Sequence, residues 1–154
     1  MKKLTTIIAI TLLAALLFTG CDFIPMEKDF SQYGFKFTIA GEVTEKEGNK
    51  AGSATLYTKY GKMSFTKHNA VSLLLAEGLV SSASNAKETL ENGAAFYTYA
   101  AKEDSTGSLV IETHYFVGTA DGSTWQISFV TPEGDYNKDA LIKVYTSAEF
   151  VATE

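Results

Sequence analysis

The chain carries two histidines, His68 and His114, and any acid–base or metal chemistry has to begin with them. His114 follows Glu112 by two residues in the alternating run 108–117 (SLVIETHYFV), so on a strand the two side chains share a face and can pair. A zinc site requires three or four ligands at matched spacing, and no third ligand accompanies the pair. We therefore expect no metal and no cofactor, and read Glu112 and His114 as a sheet-surface pair in preference to a catalytic one. His68, beside Asn69 at a strand-to-helix junction, reads as a turn residue. No serine lies in a Gly-x-Ser-x-Gly elbow, and the nearest Ser-x-x-Lys spacing, Ser64 to Lys67, falls on a strand, where it cannot present a nucleophile at a helix start. Carboxylates gather at Glu42, Glu45 and Glu47, at Glu103-Asp104, and at Glu133 and Asp135, always among loop formers. A glycosidase pair needs a cleft to hold it, and the twelve-residue calcium-loop pattern is absent near residues 133–139. The remaining candidates are aromatic. Tyr97 and Tyr99 alternate on a strand and, if turned outward with His114, would form a binding surface for a sugar, a peptide or a protein partner. Helices on both faces of the sheet would bury them instead, and that is the reading preferred.

The only cysteine, Cys21, ends an apolar run that opens with Met1-Lys2-Lys3. Residues 4–18 are apolar apart from Thr5, Thr6 and Thr11, too short a stretch for an ordinary spanning helix and suited to an export signal. Leu17-Phe18-Thr19-Gly20-Cys21 resembles the lipobox of bacterial lipoproteins: Gly20 stands immediately before the cysteine, Thr19 takes the small-residue position, and Phe18 replaces the usual leucine. The resemblance implies cleavage between Gly20 and Cys21, a diacylglyceryl group on the Cys21 thiol, and residence on the extracytoplasmic face of a bacterial cell membrane. Two acyl chains, at about 0.8 kcal/mol per buried methylene, hold a protein on a bilayer where one chain holds it only marginally. In some two-membrane bacteria an aspartate after the cysteine, here Asp22, marks lipoproteins kept on the inner membrane; in a one-membrane cell it carries no such message.

Composition narrows the rest. Without residues 1–20 the chain keeps 134 of its 154 positions, the size of one domain with a real core. Loss of Lys2 and Lys3 moves the net charge from −5 to −7, and the sequence has no arginine, which argues against a nucleic-acid partner. With Cys21 given to lipid, the exported domain has no disulfide and must be stabilised by packing.

Residues 21–32 mix charge and one proline without a period and read as a lipidated tether; residues 33–154 read as a single domain. Phe35, Phe37 and Ile39 alternate with Lys36 and Thr38, the signature of a half-buried strand. Residues 43–53 read as an exposed hairpin or a loop, and 54–60 and 62–67 as strands interrupted at Gly61. Residues 71–79 place Val71, Leu74, Leu75 and Leu79 on one helical face behind an Asn69 N-cap. The polar stretch 81–91 reads as a loop or a short helical turn, and 95–101 as a strand. Asp121-Gly122 between the runs 108–117 and 124–130 predicts a hairpin, with Trp125, Ile127 and Phe129 on one side of its second arm. Leu141, Val144, Tyr145 and Ala148 mark a closing helix, with Asn137 or Asp135 near its start, that should lie across the sheet. The whole predicts an α+β fold: an antiparallel sheet of about five or six strands covered by helices as an α-β-α sandwich.

The run Gly93-Ala94-Ala95-Phe96-Tyr97-Thr98-Tyr99, together with Tyr115-Phe116-Val117, the Asp121-to-Phe129 hairpin and the Asp135-Tyr136 turn into the last helix, resembles the C-terminal half of PsbP-like domains. That resemblance implies an α-β-α sandwich and an accessory habit, with no catalytic residue to transfer. The leading functional expectation is a membrane-anchored, non-enzymatic binding or accessory domain with a protein partner in the cell envelope. A solute-binding lipoprotein and a small hydrolase are the alternatives; the first requires a closed pocket, which a single small domain seldom provides.

Overall fold

The computed structural model describes residues 24–49 and 52–152. Eleven strands and two α-helices follow one another along them: β1 (Pro25–Phe30), β2 (Phe35–Ala40), β3 (Thr44–Asn49), β4 (Ser53–Thr58), β5 (Gly61–His68), α1 (Ala70–Ala83), β6 (Ala86–Thr89), β7 (Ala95–Thr98), β8 (Lys102–Glu103), β9 (Leu109–Gly118), β10 (Thr124–Pro132), α2 (Lys138–Thr146) and β11 (Glu149–Phe150). They form an eight-stranded sheet, β3-β4-β5-β10-β9-β7-β6 with β8 on β9, and a three-stranded sheet, β1-β2-β11. Every pairing is antiparallel.

The fold is α+β, as expected, but it is not a sheet of five or six strands under helices. The additional strands are ones that bury little: β3 and β6 are exposed throughout, and β8 is two exposed residues. With neither face covered they carry no period-two hydrophobic pattern, which is why residues 81–91 read as loop or helical turn and yet contain β6. Residues 25–30, expected within a tether, form β1, held by backbone pairing to β2 with most of its side chains in solvent.

The core lies on one face of the large sheet, called here face one. Phe35, Phe37 and Ile39 of β2 meet Leu56, Met63, Phe65, Trp125, Ile127 and Phe129 of the large sheet, and Leu141, Val144 and Tyr145 of α2 close the cluster. Phe35 stacks on Phe65 with ring centroids 3.7 Å apart, and Trp125 lies against Phe150 at 4.9 Å. The Tyr145 hydroxyl, fully buried, donates to the Thr113 carbonyl at 3.1 Å and lies 2.7 Å from Thr113 Oγ1. The covering layer on this face is thus a second small sheet as much as a helix.

Two local expectations hold closely. Gly122, with a φ of 80°, sits in the β9–β10 turn, and Asp121 Oδ1 accepts from the Ser123 amide at 3.0 Å and its hydroxyl at 2.6 Å. Asn137 caps α2 by accepting from the Ala140 amide at 3.0 Å.

Trp125 is 2% exposed and wedged between Phe150 and the edge of Phe35. Trp125→Ala is expected to leave a cavity and to lower the unfolding free energy by about 3–5 kcal/mol. Urea denaturation followed by circular dichroism checks this; a midpoint equal to wild type would place the indole outside the core.

Candidate functional site

Side chains alternate across each strand, so β9 and β10 send Tyr115, Trp125, Ile127 and Phe129 to face one, while His114, Phe116, Gln126 and Ser128 point to the opposite face. The two faces differ sharply in chemistry. On face two the β4–β5–β10 region presents half-buried Thr55, Ser64, Thr66 and Ser128. Over β9 and β7 lies α1, whose Leu73, Ala76 and Val80 pack on Ala95, Tyr97, Tyr99 and Phe116.

The helix is set in place by polar anchors. Asn69 caps it, its side chain accepting from the Val71 and Ser72 amides at 3.1 and 2.9 Å, while the Asn69 amide donates to Ser72 Oγ at 3.0 Å. One turn on, Glu77 accepts from the Tyr97 hydroxyl at 2.7 Å. These anchors turn the smaller apolar stripe inward. Val71, Leu74, Leu75 and Leu79, read from the sequence as the packing face, are 71%, 77%, 67% and 71% exposed. The reversal has a packing reason: the small Ala76 lets the helix lie on the large rings of Tyr97 and Phe116, with Val80 filling the space beside them.

Beneath the first turn of α1 runs a chain of polar side chains. Ser72 Oγ lies 3.3 Å from His68 Nδ1, His68 Nε2 is 2.8 Å from Gln126 Oε1, Gln126 Nε2 is 2.9 Å from His114 Nδ1, and His114 Nε2 is 3.0 Å from Glu112 Oε1. Lys102 completes it, donating to Glu112 Oε2 at 2.6 Å. His68 and His114 are 9% and 6% exposed, so the two imidazoles are shielded from water, while Ser72, Gln126 and Glu112 are half-buried and Lys102 is exposed. The hydrogen bond from His114, reinforced by that from Lys102, draws the Glu112 carboxyl down from 4.5 to about 2 and keeps it ionised. Burial raises the Tyr99 hydroxyl, whose ring lies 5.1 Å from His114.

Of the residues singled out in the sequence, His114 and Tyr99 are in this site, the Glu112–His114 pair is formed, and Tyr97 lies fully buried beneath α1 where no ligand can stack on it. Cys21 and Gly20 fall outside the described residues. His68 is the residue the sequence undervalued. Its partner Gln126 sits 58 positions away, and only the β5–β10 register brings them together. Ser72, within reach of an imidazole, has its hydroxyl oxygen engaged in the helix cap. Among the described residues no three His, Cys, Asp or Glu side chains converge as metal ligands, and no helix is long and apolar enough to cross a membrane.

Compared with protein-family models and with curated proteins, the chain matches none.

Because the Glu112 carboxyl titrates lower when folded than when unfolded, its contribution is present above about pH 4.5 and is lost as pH falls toward 2. Wild-type stability should fall by about 2–3 kcal/mol through that window on this account. Glu112→Gln should be less stable at pH 6 and show a flatter profile below pH 4.5, measured by denaturant unfolding at stepped pH; parallel profiles would refute the pairing.

Proposed function

We propose that this is a membrane-anchored lipoprotein of the bacterial cell envelope, a non-enzymatic accessory domain that docks an apolar segment of a partner protein on the outer face of α1. The observation that carries the reading is the uncharged stripe Val71, Leu74, Leu75 and Leu79, each more than two-thirds exposed on a helix whose opposite side is packed. Four large aliphatic side chains held together in water are unusual on a small domain and mark a contact surface.

Geometry favours a protein over the anchoring bilayer as occupant. The small sheet, which begins at Pro25, packs on face one, whereas α1 lies on face two. Sheets stack about 10 Å apart, and a helix with its side chains adds about 10 Å more. Cys21 precedes Ile24 by three residues, which reach at most about 11 Å when extended. An acyl group on Cys21 would therefore hold the domain by its face-one side and leave the α1 stripe clear of the membrane. The stripe spans about 12 Å of helix, roughly two turns. It suits a short apolar segment laid along the helix. The lipobox-like Leu17-to-Cys21 run supports the anchor; the accessory habit rests on the PsbP-like sequence resemblance alone, since the two-sheet arrangement is not the α-β-α sandwich that resemblance implies.

Two experiments test the reading separately. Cys21→Ala is expected to shift the protein from the membrane to a soluble or unprocessed form; unchanged mass and detergent partition would count against lipidation. For the surface, a photo-crosslinker at Leu75 in native membranes should give a hetero-adduct that Leu74→Lys abolishes without changing the melting temperature, while a probe at Thr55 gives none. Adducts of doubled mass or adducts to lipid would overturn the assignment in favour of self-association or the bilayer.

A further inference from the structure

The direction of each hydrogen bond in the polar chain can be deduced from its charged end. Glu112 is ionised and only accepts, so the proton of neutral His114 is on Nε2 and its Nδ1 carries the lone pair. That lone pair takes the Gln126 amide nitrogen as donor, which turns Gln126 Oε1 toward His68. His68 must then donate from Nε2, and its own Nδ1 faces Ser72 Oγ as an acceptor. One carboxylate thus fixes two tautomers and one amide orientation, and makes His68 Nδ1 an acceptor for the Ser72 hydroxyl beside the Asn69 carbonyl.

We infer that His68, Gln126 and His114 form a one-proton switch beneath α1: a proton added to His114 reverses every hydrogen bond as far as the helix cap, and Gln126 prevents both imidazoles from being charged together. With His114 charged, Nδ1 becomes a donor and requires Gln126 Oε1. The amide turns over, its NH₂ faces His68 Nε2, and the His68 proton moves to Nδ1, where it donates to Ser72 Oγ. The Ser72 proton is then directed to the Asn69 carbonyl, 3.2 Å away. Protons balance, and each group keeps a partner in both states. Charging His68 as well would set an N–H against the amide NH₂, because Gln126 has a single oxygen between the two rings; a donor left unmet at a buried site is disfavoured.

The surroundings favour His114 as the site of charge. Glu112 touches it directly, Lys102 is bound to the far oxygen of Glu112, and the Tyr99 ring packs alongside. Tyr97, opposite His114 across the β7–β9 register, directs its hydroxyl to Glu77 of α1 and lies beneath Lys87 of β6. His68 has the Phe116 ring, Ser72 and Gln126 around it, and among the described residues no carboxylate is hydrogen-bonded or ion-paired to it, while the neighbouring Lys67 pairs with Asp121. Reversal of the chain changes Ser72 from donor to acceptor toward His68 at the turn that sets the rotation of α1. An effect on docking rests on the proposed function above; the proton coupling does not.

The chain has only two histidines, so nitrogen-15 spectra of the histidine-labelled full chain in detergent resolve both without ambiguity. As pH is lowered, the His114 signals are expected to change to those of an imidazolium while His68 stays neutral and changes from the Nε2–H to the Nδ1–H tautomer in step with them. Gln126→Leu should uncouple the two, and Gln126→Glu, which offers an oxygen to each ring, should let both become charged. The inference is overturned if the wild-type histidines ionise together, if His114 stays neutral throughout, or if His68 keeps its tautomer as His114 titrates. Because no partner takes part, these results leave the crosslinking test of the α1 face independent.

Discussion

The antiparallel pairing of β10 with β9 on one side and β5 on the other divides the chemistry of this protein in two. Each strand alternates, so the same residues that deliver Trp125, Ile127 and Phe129 to the aromatic core deliver Gln126 and Ser128 to the opposite face. A slip of one residue in either pairing would exchange the two sets, exposing the indole and burying the amide. Register therefore has a hydrophobic guarantor on face one and a polar beneficiary on face two. The chain from Ser72 to Glu112 exists only because the core holds the strands to this alignment.

The second consequence concerns α1. A helix with apolar residues all around could lie on the sheet in more than one rotation, since burial is non-directional. Directional bonds choose among them: the Asn69 and Ser72 cap at its start and the Glu77 bond to Tyr97 one turn later. They select the rotation that buries Leu73, Ala76 and Val80 and leaves four larger aliphatic side chains in water. That rotation gives up apolar burial, which stability alone does not call for and which the docking role proposed above would explain.

Legibility followed burial. The alternation at Phe35, Phe37 and Ile39, the Asp121-Gly122 turn and the spacing of Leu141, Val144 and Tyr145 were readable because each element has one wet and one dry side. β6 was not, and β3 was legible only as an exposed hairpin or a loop, because strands wet on both sides leave no period. The Glu112–His114 pair was visible as a two-residue spacing on one strand. Its extension through Gln126 to His68 and Ser72 was not, because it crosses from β9 to β10 to β5 and onto α1, and no local spacing encodes register between strands.

The sequence by itself determined the α+β class, the hairpin, the Asn69 cap of α1, the aromatic content of the core and the lone cysteine behind an apolar run, because each depends on a residue and its near neighbours. Only the tertiary structure decided which side of α1 meets the sheet, that a second sheet closes the core, and that two histidines 46 positions apart share one amide. Those outcomes depend on strand order and helix rotation, which are set by the simultaneous packing of elements distant in the chain.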